Sequence, residues 1–290
     1  MTKRLTSCPI CTSNNLKKRN EALRDSEVIG VAECNDCSHI FLDSFEHINE
    51  EYFEENQFLK SKKDMANTID RRLRHFEAEN RNRYERVAPL VANKRVIEIG
   101  TGAGALIDMI APLAEQIVGI ERTVAFCERL MAKGYDIRQD LSQCPNDVDV
   151  VLSFHVLEHV ADPVGMLRES YSKLAPGGLI YLEVPNIDDA LLSLYEIEEY
   201  RRFYFFKDHL HYFSRRTLED TFRIAGLPRP QITGHNRFGL GNHLHWLKTG
   251  MPGGHVKWSF LEAASDAYSD VLAANDLSDS LVAHVRKPVG

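Results

Sequence analysis

No stretch of this 290-residue chain approaches the roughly 20 consecutive apolar residues that span a bilayer. Lys3 and Arg4 are followed by no apolar segment that would complete a signal peptide. We therefore expect a cytoplasmic protein with no membrane span. Positive charge is also short: 35 Lys and Arg stand against 42 Asp and Glu, a net charge of -7. That balance repels a phosphate backbone as a whole, so nucleic acid is not the expected partner, although a local basic patch could still bind one. Internal repeats and low-complexity segments are lacking. With 43% hydrophobic and 27% charged residues, collagen-like and wholly disordered chains are excluded and a packed globular protein is expected. Cysteine is scarce, and in a reducing compartment the six present are read first as metal ligands rather than as disulfides.

Four of them form two pairs, Cys8-Pro9-Ile10-Cys11 and Cys34-Asn35-Asp36-Cys37, while Cys127 and Cys144 stand alone far downstream. Each C-x-x-C turn offers two sulfurs on one tight loop, and tetrahedral zinc takes four thiolates. With Cys8, Cys11, Cys34 and Cys37 as ligands no position is left for water, so the ion is expected to be structural. The hairpin between the pairs is too short to make a core of its own and would depend on the metal. This predicts a zinc ribbon over residues 1–46. Glycine often follows such pairs. Thr12 and Ser38 stand there instead, which weakens the turn geometry but not the ligand set. A thioredoxin-like redox pair is the competing reading, and two copies without a surrounding βαβ unit argue against it. Cys127 and Cys144 are expected as buried small hydrophobes.

Residues 48–90 turn polar and charged, with Ile69, Leu73, Phe76, Tyr84, Val87 and Val91 recurring as on one helix face and Asn80 interrupting them. We read residues 47–92 as a helical linker or lid. Its arginines, Arg71, Arg72, Arg74, Arg81, Arg83 and Arg86, interleave with Asp70, Glu77, Glu79 and Glu85, the pattern of a solvated face, and no binding role is assigned to them. From Arg95 onward short apolar runs at 96–99, 117–120, 148–154 and 179–184 read as strands, separated by helical segments starting near Ala103, Thr123 and Pro163. Strands alternating with helices predict an α/β fold with a parallel sheet covered on both faces. Pro176-Gly177-Gly178 is read as ending the helix that holds Leu167 and Leu174. Ser214 is read as the cap of a helix over 217–225, and a less regular tail ends in a strand at 281–285. Residues 93–233 would be the core and 234–290 a C-terminal insertion with the final strand.

Between the first core strand and its helix lies Glu98-Ile99-Gly100-Thr101-Gly102-Ala103-Gly104. Ligands of open parallel sheets bind at the carboxyl ends of strands, where glycines let them approach the backbone. A dinucleotide fingerprint requires G-x-G-x-x-G; here the third glycine comes one residue early, and Glu98 suits a cationic ligand better than a phosphate. Glu121, at the end of the second core strand, is placed to accept hydrogen bonds from a ribose diol.

These residues resemble the class I S-adenosylmethionine-dependent methyltransferases, with supporting matches at Asp140, at the 149–154 strand leading into His155-Val156-Leu157-Glu158-His159, and at the turn into Leu179-Ile180-Tyr181-Leu182-Glu183-Val184-Pro185-Asn186. The resemblance implies a Rossmann-like core with a mostly parallel seven-stranded sheet and helices on both faces. It also implies S-adenosylmethionine as cofactor. Gly100, Gly102 and Gly104 would line its methionine portion, Glu121 would hold the ribose, Asp140 with Leu141 would flank the adenine, and His155 would lie near the methyl. Thr101, Arg122 and Phe154 complete the implied cofactor-binding set. The string His155-x-x-Glu158-His159 also matches a zinc-protease motif, which would require a third ligand that no recognisable spacing supplies.

With the cysteine pairs and Glu51-Tyr52-Phe53 added, nearly the whole chain resembles zinc-ribbon methyltransferases encoded with surface-polysaccharide and nucleotide-sugar enzymes, implying a small sugar-containing substrate. Methyl transfer to a hydroxyl or an acidic C–H needs a base, and histidine titrates closest to neutrality. The match of Asp208-His209-Leu210-His211-Tyr212-Phe213-Ser214 to the family's acid-His-x-x-Tyr-Phe-Ser stretch makes His209 the first choice as base, with Asp208 as its partner. The competing reading is that His209 and His211 only pack or cap. Some sugar C-methyltransferases carry Tyr two residues before the acid. Phe206 stands here, with Tyr204 further back, which tells against carbon methylation. Trp246, in the variable segment, is assigned no role. Two alternatives stay open: an rRNA or tRNA base methyltransferase whose ribbon binds RNA, and a non-catalytic scaffold.

Overall fold

The apolar runs at 96–99 and 148–154 are rich in β-branched residues, which suit a pleated surface packed on both faces, and both form strands in the computed structural model. The structure describes residues 3–49, 52, 69, 71, 73, 74, 76–253 and 258–290. Glu51, Phe53, Asp70 and Arg72, which belong to the expected linker, lie outside the described residues. In chain order the strands are β1 (Leu16–Lys18), β2 (Val31–Cys34), β3 (Ile40–Leu42), β4 (Arg95–Ile99), β5 (Gln116–Ile120), β6 (Asp136–Arg138), β7 (Val148–Phe154), β8 (Leu174–Pro185), β9 (His211–Tyr212), β10 (Gln231–His235) and β11 (Ser280–Arg286). The longer helices are α1 (Glu77–Val91), α2 (Val124–Ala132), α3 (Pro163–Lys173), α4 (Arg215–Ile224), α5 (Leu240–Thr249) and α6 (Glu262–Ala274).

Seven strands form one sheet in the order β10-β11-β8-β7-β4-β5-β6. β4 pairs in parallel with both β5 and β7, and β5 with β6, whereas β10 and β11 are antiparallel. The expected α/β class with a mostly parallel seven-stranded sheet is thus the observed one. Among the described residues no helix is long and apolar enough to cross a membrane.

The chain divides into two compact units. One, the core unit, comprises Glu46–Val156, Leu167–Tyr181 and Val285–Gly290. Its strand order reverses at β4, because β5 and β6 follow on one side and β7 on the other, which creates a topological switch point at the carboxyl ends of β4 and β7. Ile107, Cys127, Leu130 and Ile137 form a buried cluster in this unit, and Cys144 is buried as well, so the two lone cysteines pack as small hydrophobes. Val87 and Val91 anchor α1 with no exposed surface.

Two expectations for this unit are corrected. No helix begins near Ala103: the glycine loop continues in turns to the single turn Ile107–Ile110. Leu174 does not belong to the preceding helix, which stops at Lys173; it opens β8. The reason is pairing. Gly177 N–H donates to the Lys287 carbonyl at 3.0 Å, and Lys287 N–H donates to the Gly178 carbonyl at 2.9 Å, so the Pro-Gly-Gly stretch is drawn into extended structure.

The other, the ribbon unit, comprises Met1–Phe45, Leu157–Met166 and Leu182–His284. Its antiparallel sheet has the order β1-β2-β3-β9. The ribbon hairpin is therefore extended by a strand from far downstream, with Ile40 opposite Tyr212 and Phe41 opposite His211. Ser214 caps α4 as expected, through a box with Thr217. The tail is more regular than its sequence pattern promised, forming α5 and α6 before β11. Trp246 is 3% exposed and packs on Tyr200 and Phe203.

Candidate active site

β4 delivers its carboxyl end into Gly100-Thr101-Gly102-Ala103-Gly104. Gly100, Gly102 and Gly104 adopt φ of 78, 55 and 92°, a region that side chains resist. A Cβ at Gly100 would lie 2.3 Å from Val156 Cγ2 and one at Gly104 would lie 2.4 Å from Leu130 Cδ2, whereas one at Gly102 would meet nothing within 4 Å. The outer two glycines thus permit close packing, and the middle one faces open space. Glu121, just after β5, fastens the loop: its Oε2 accepts from Gly102 N–H at 2.8 Å, and its Oε1 accepts from Arg122 N–H at 2.9 Å and Thr123 N–H at 2.7 Å. Asp140 accepts from the Ser142 hydroxyl and N–H, which hold its carboxyl below the usual range, and it caps the turn that contains Leu141.

A cavity of about 220 Å³ opens at the switch point. The strand ends contribute Glu98, Gly100, Thr101, Gly102, Phe154 and His155 to its lining, and α1 contributes Glu79, Asn80 and Arg83. Gly104, Glu121, Arg122, Asp140 and Leu141 are not among the lining residues. Glu98 is 3% exposed. Burial pushes its carboxyl up to about 8, against the pull of Arg83 toward the charged form, and neither its Oε2 nor the buried Thr101 hydroxyl has a hydrogen-bond partner among the described residues. An uncompensated carboxylate at that depth is costly, so the site is suited to a cationic, hydrogen-bonding ligand. His155 holds φ of 53°, a strained conformation of the kind that clusters at ligand sites.

The arginine-bearing helix is not simply a solvated face. Arg83 pairs with Glu79 one turn away, and its guanidinium lies 5.1 Å from the centre of the Phe154 ring. The overlooked signal was Asn80. It breaks the apolar repeat where α1 meets the cavity, buried and bonded through Nδ2 to the Phe76 carbonyl.

In the ribbon unit the four cysteine sulfurs lie within 4.8 Å of one another, with Cys8 and Cys37 at 3.7 Å and Cys11 and Cys34 at 3.5 Å. Sulfurs bound to one zinc at about 2.3 Å would be separated by roughly 3.8 Å, so the set fits a tetrahedral ion. The two turns match: Thr12 N–H donates to the Cys8 carbonyl at 2.9 Å and Ser38 N–H to the Cys34 carbonyl at 2.8 Å. Thr12 and Ser38 adopt φ of 62 and 64°. The glycine-like turns therefore form without glycine.

Beside this site His39 and His211 are fully buried, and burial drives His39 well below its ordinary value and His211 down to about 3. Both rings are neutral. His211 Nε2–H donates to the Val160 carbonyl at 3.0 Å, which leaves its Nδ1 to accept from His39 Nε2–H at 3.0 Å. His211 thus ties the ribbon to the downstream strand. His209 packs against Phe206, ring centres 4.1 Å apart. A carboxylate from outside the Asp208-His209 segment approaches this ring. Glu158 Oε1 lies 3.9 Å from His209 Nε2, while the Asp208 carbonyl accepts from His159 Nδ1–H at 2.6 Å.

A profile described as a methyltransferase domain matches residues 69–228, more than half of the chain. The chain belongs to the methyltransferase domain family. A protein of Mycolicibacterium smegmatis named as a probable S-adenosylmethionine-dependent methyltransferase is 34% identical over 109 residues, 36% of this chain and 42% of that protein. A ubiquinone biosynthesis O-methyltransferase of Albidiferax ferrireducens is 32% identical over 108 residues, 33% of this chain and 43% of that protein. The chain thus spans less than half the length of these curated relatives. In fold it is similar to a SAM dependent methyltransferase from Archaeoglobus fulgidus, with a TM-score of 0.51 and 18% identity over 71% of this chain and 92% of that one.

Proposed function

We propose that this methyltransferase transfers the methyl group of S-adenosylmethionine to an oxygen of a small, sugar-containing acceptor. The observation that carries the reading is Glu98, a fully buried carboxylate at the carboxyl end of β4, in a cavity beside an open glycine and a buried hydroxyl. When bound, the cofactor supplies a methyl on a positively charged sulfonium. Glu98 would receive the cationic amino-acid end, Gly102 would admit it to the backbone, and Glu121, which still has lone pairs after three amide bonds, would accept from the ribose. His155 and Phe154 would close the cavity at the end of β7. His209, with the Glu158 carboxylate beside it, would take the acceptor's proton. As the oxygen's electron pair forms the new bond to carbon, the sulfur–carbon bond breaks and a neutral thioether leaves.

The four cysteines would hold zinc, which cross-links the two turns and takes no part in the chemistry. The oxygen assignment rests on Phe206 standing where some carbon-methylating enzymes of the resembled type carry Tyr, and the sugar assignment on the ribbon-plus-core pattern. An acceptor from ubiquinone biosynthesis is the second reading, favoured by the similarity to the Albidiferax ferrireducens ubiquinone biosynthesis O-methyltransferase. An RNA substrate is disfavoured by the ribbon's own charges, because Lys17 and Arg19 are paired with Glu33 and Arg19 also with Glu21.

Incubation with labelled S-adenosylmethionine and a panel of nucleotide sugars, phenols and RNA tests the reading. Label on a nucleotide sugar supports it, label confined to phenols or RNA replaces the acceptor, and absence of cofactor binding removes the reading altogether.

A further inference from the structure

Glu158 and His159 sit on the single turn Leu157–His159 that follows β7, and His209 lies in the segment leading to β9. Leu210 N–H donates to the Glu158 carbonyl at 2.8 Å, so the two segments are tied together at this point. Nε2 of His159 is 3.8 Å, and Nε2 of His209 is 3.9 Å, from the same Oε1 of Glu158. One ligand-type atom from each residue lies within 4.8 Å of the other two. Ligands about 2.1 Å from a common ion are separated by roughly 3.0 Å at right angles and roughly 4.2 Å when opposite. The three groups therefore already stand close to coordination spacing. We propose that Glu158, His159 and His209 form a binding site for a divalent cation, separate from that of the four cysteines.

The surroundings are those of a built site. His159 Nδ1–H donates to the Asp208 carbonyl at 2.6 Å, which places the ring's lone pair on Nε2, toward Glu158, as an outer bond does for a metal-bound histidine. The His209 ring is held against Phe206 and meets His159 edge-on at 4.8 Å. Glu158 has no exposed surface, and a cation bound to a buried carboxylate offsets the cost of its desolvation. The His159 side chain is 37% exposed, which gives an ion a route from solvent. Two imidazoles and one carboxylate favour first-row ions that take nitrogen and oxygen, and three protein ligands leave positions for water or for an oxygen of a small molecule.

In the zinc-protease motif the string His155-x-x-Glu158-His159 reads as two histidines on one helical turn. His155 lines the glycine-loop cavity, and in the proposed site His209 stands as the third ligand. The base role proposed for His209 belongs to the chain without this cation, because a seated ion would occupy the same Nε2 lone pair.

The test uses the full chain with its cysteine site loaded with zinc. Mn2+ is titrated and free ion is followed by electron paramagnetic resonance, with bound manganese and zinc counted after gel filtration. One saturable Mn2+ per chain is expected. Glu158→Gln and His159→Asn should each weaken it by about tenfold or more, with zinc content and circular dichroism unchanged. In the unaltered protein, bound Mn2+ should also broaden the proton resonances of His159 and His209, a readout that needs no variant. Absence of saturable Mn2+ binding, equal binding by both folded variants, or broadening of other histidines alone would overturn the proposal. None of these measurements involves the cofactor, so the site stands or falls separately from methyl transfer.

Discussion

The pH dependence of cofactor binding should carry the signature of Glu98. With its carboxyl at about 8, roughly nine molecules in ten hold the proton at pH 7, since one unit is a tenfold ratio, about 1.4 kcal/mol. A cationic ligand stabilises the carboxylate, so binding S-adenosylmethionine at pH 7 should release about 0.9 proton, and affinity should rise about tenfold per unit between pH 6 and 7. The ligand's own α-amino group titrates near 8, so the measurement belongs below that pH. Calorimetry at pH 7 in two buffers of different ionisation enthalpy yields the proton count directly. Glu98→Gln preserves the shape and removes the proton, and should show weaker binding with no release. The same shift acts on stability. The folded state keeps a proton that the unfolded state gives up above its ordinary 4.5, so this contribution is fully present below that value and is lost as pH rises toward about 8. Thermal melts of the unliganded variant should lack that decline. No proton release by the wild type, or equal release by the variant, would refute the role of Glu98.

Gly102→Ala, whose Cβ meets no atom, should cost only the left-handed backbone strain of about 1–2 kcal/mol while losing cofactor affinity; Gly104→Ala should lower the melting temperature further, since the same strain is joined by a Cβ that would press on Leu130. Thr12→Gly and Ser38→Gly should each stabilise the zinc-loaded protein by up to about 1 kcal/mol in denaturant unfolding, because both occupy left-handed conformations. Removing zinc with a chelator, or substituting Cys11→Ser, should disorder the ribbon in amide exchange while S-adenosylmethionine still binds; a metal-free ribbon of native protection would disprove the zinc assignment. His209→Ala should lower turnover by about a hundredfold or more with cofactor affinity nearly unchanged, and parallel loss of both would make His209 a structural residue.

Glu98 and the glycine loop were legible from the chain alone because they are local. A β-branched run, three glycines and an acid two residues before them specify a strand, a left-handed turn and a carboxylate beside it within nine consecutive positions, 96–104. The cysteine pairs are legible for the same reason, since a C-x-x-C turn closes on its own backbone and the ligand count then follows. The α/β class came from periodicity, which is likewise a property of short windows.

What only the tertiary structure decided is which distant segments meet. The resemblance pairs His209 with its neighbour Asp208, a local match, whereas Glu158 approaches the ring from a different loop. Asn80 and Arg83 gained their place at the cavity from the packing of α1. His39 and His211 bond across 172 positions, and β9 joins the ribbon sheet through a two-residue strand that no pattern marks. Local propensity decides how a few residues bend. Contacts across the chain are set by the joint burial of many side chains, and no window of sequence contains that sum.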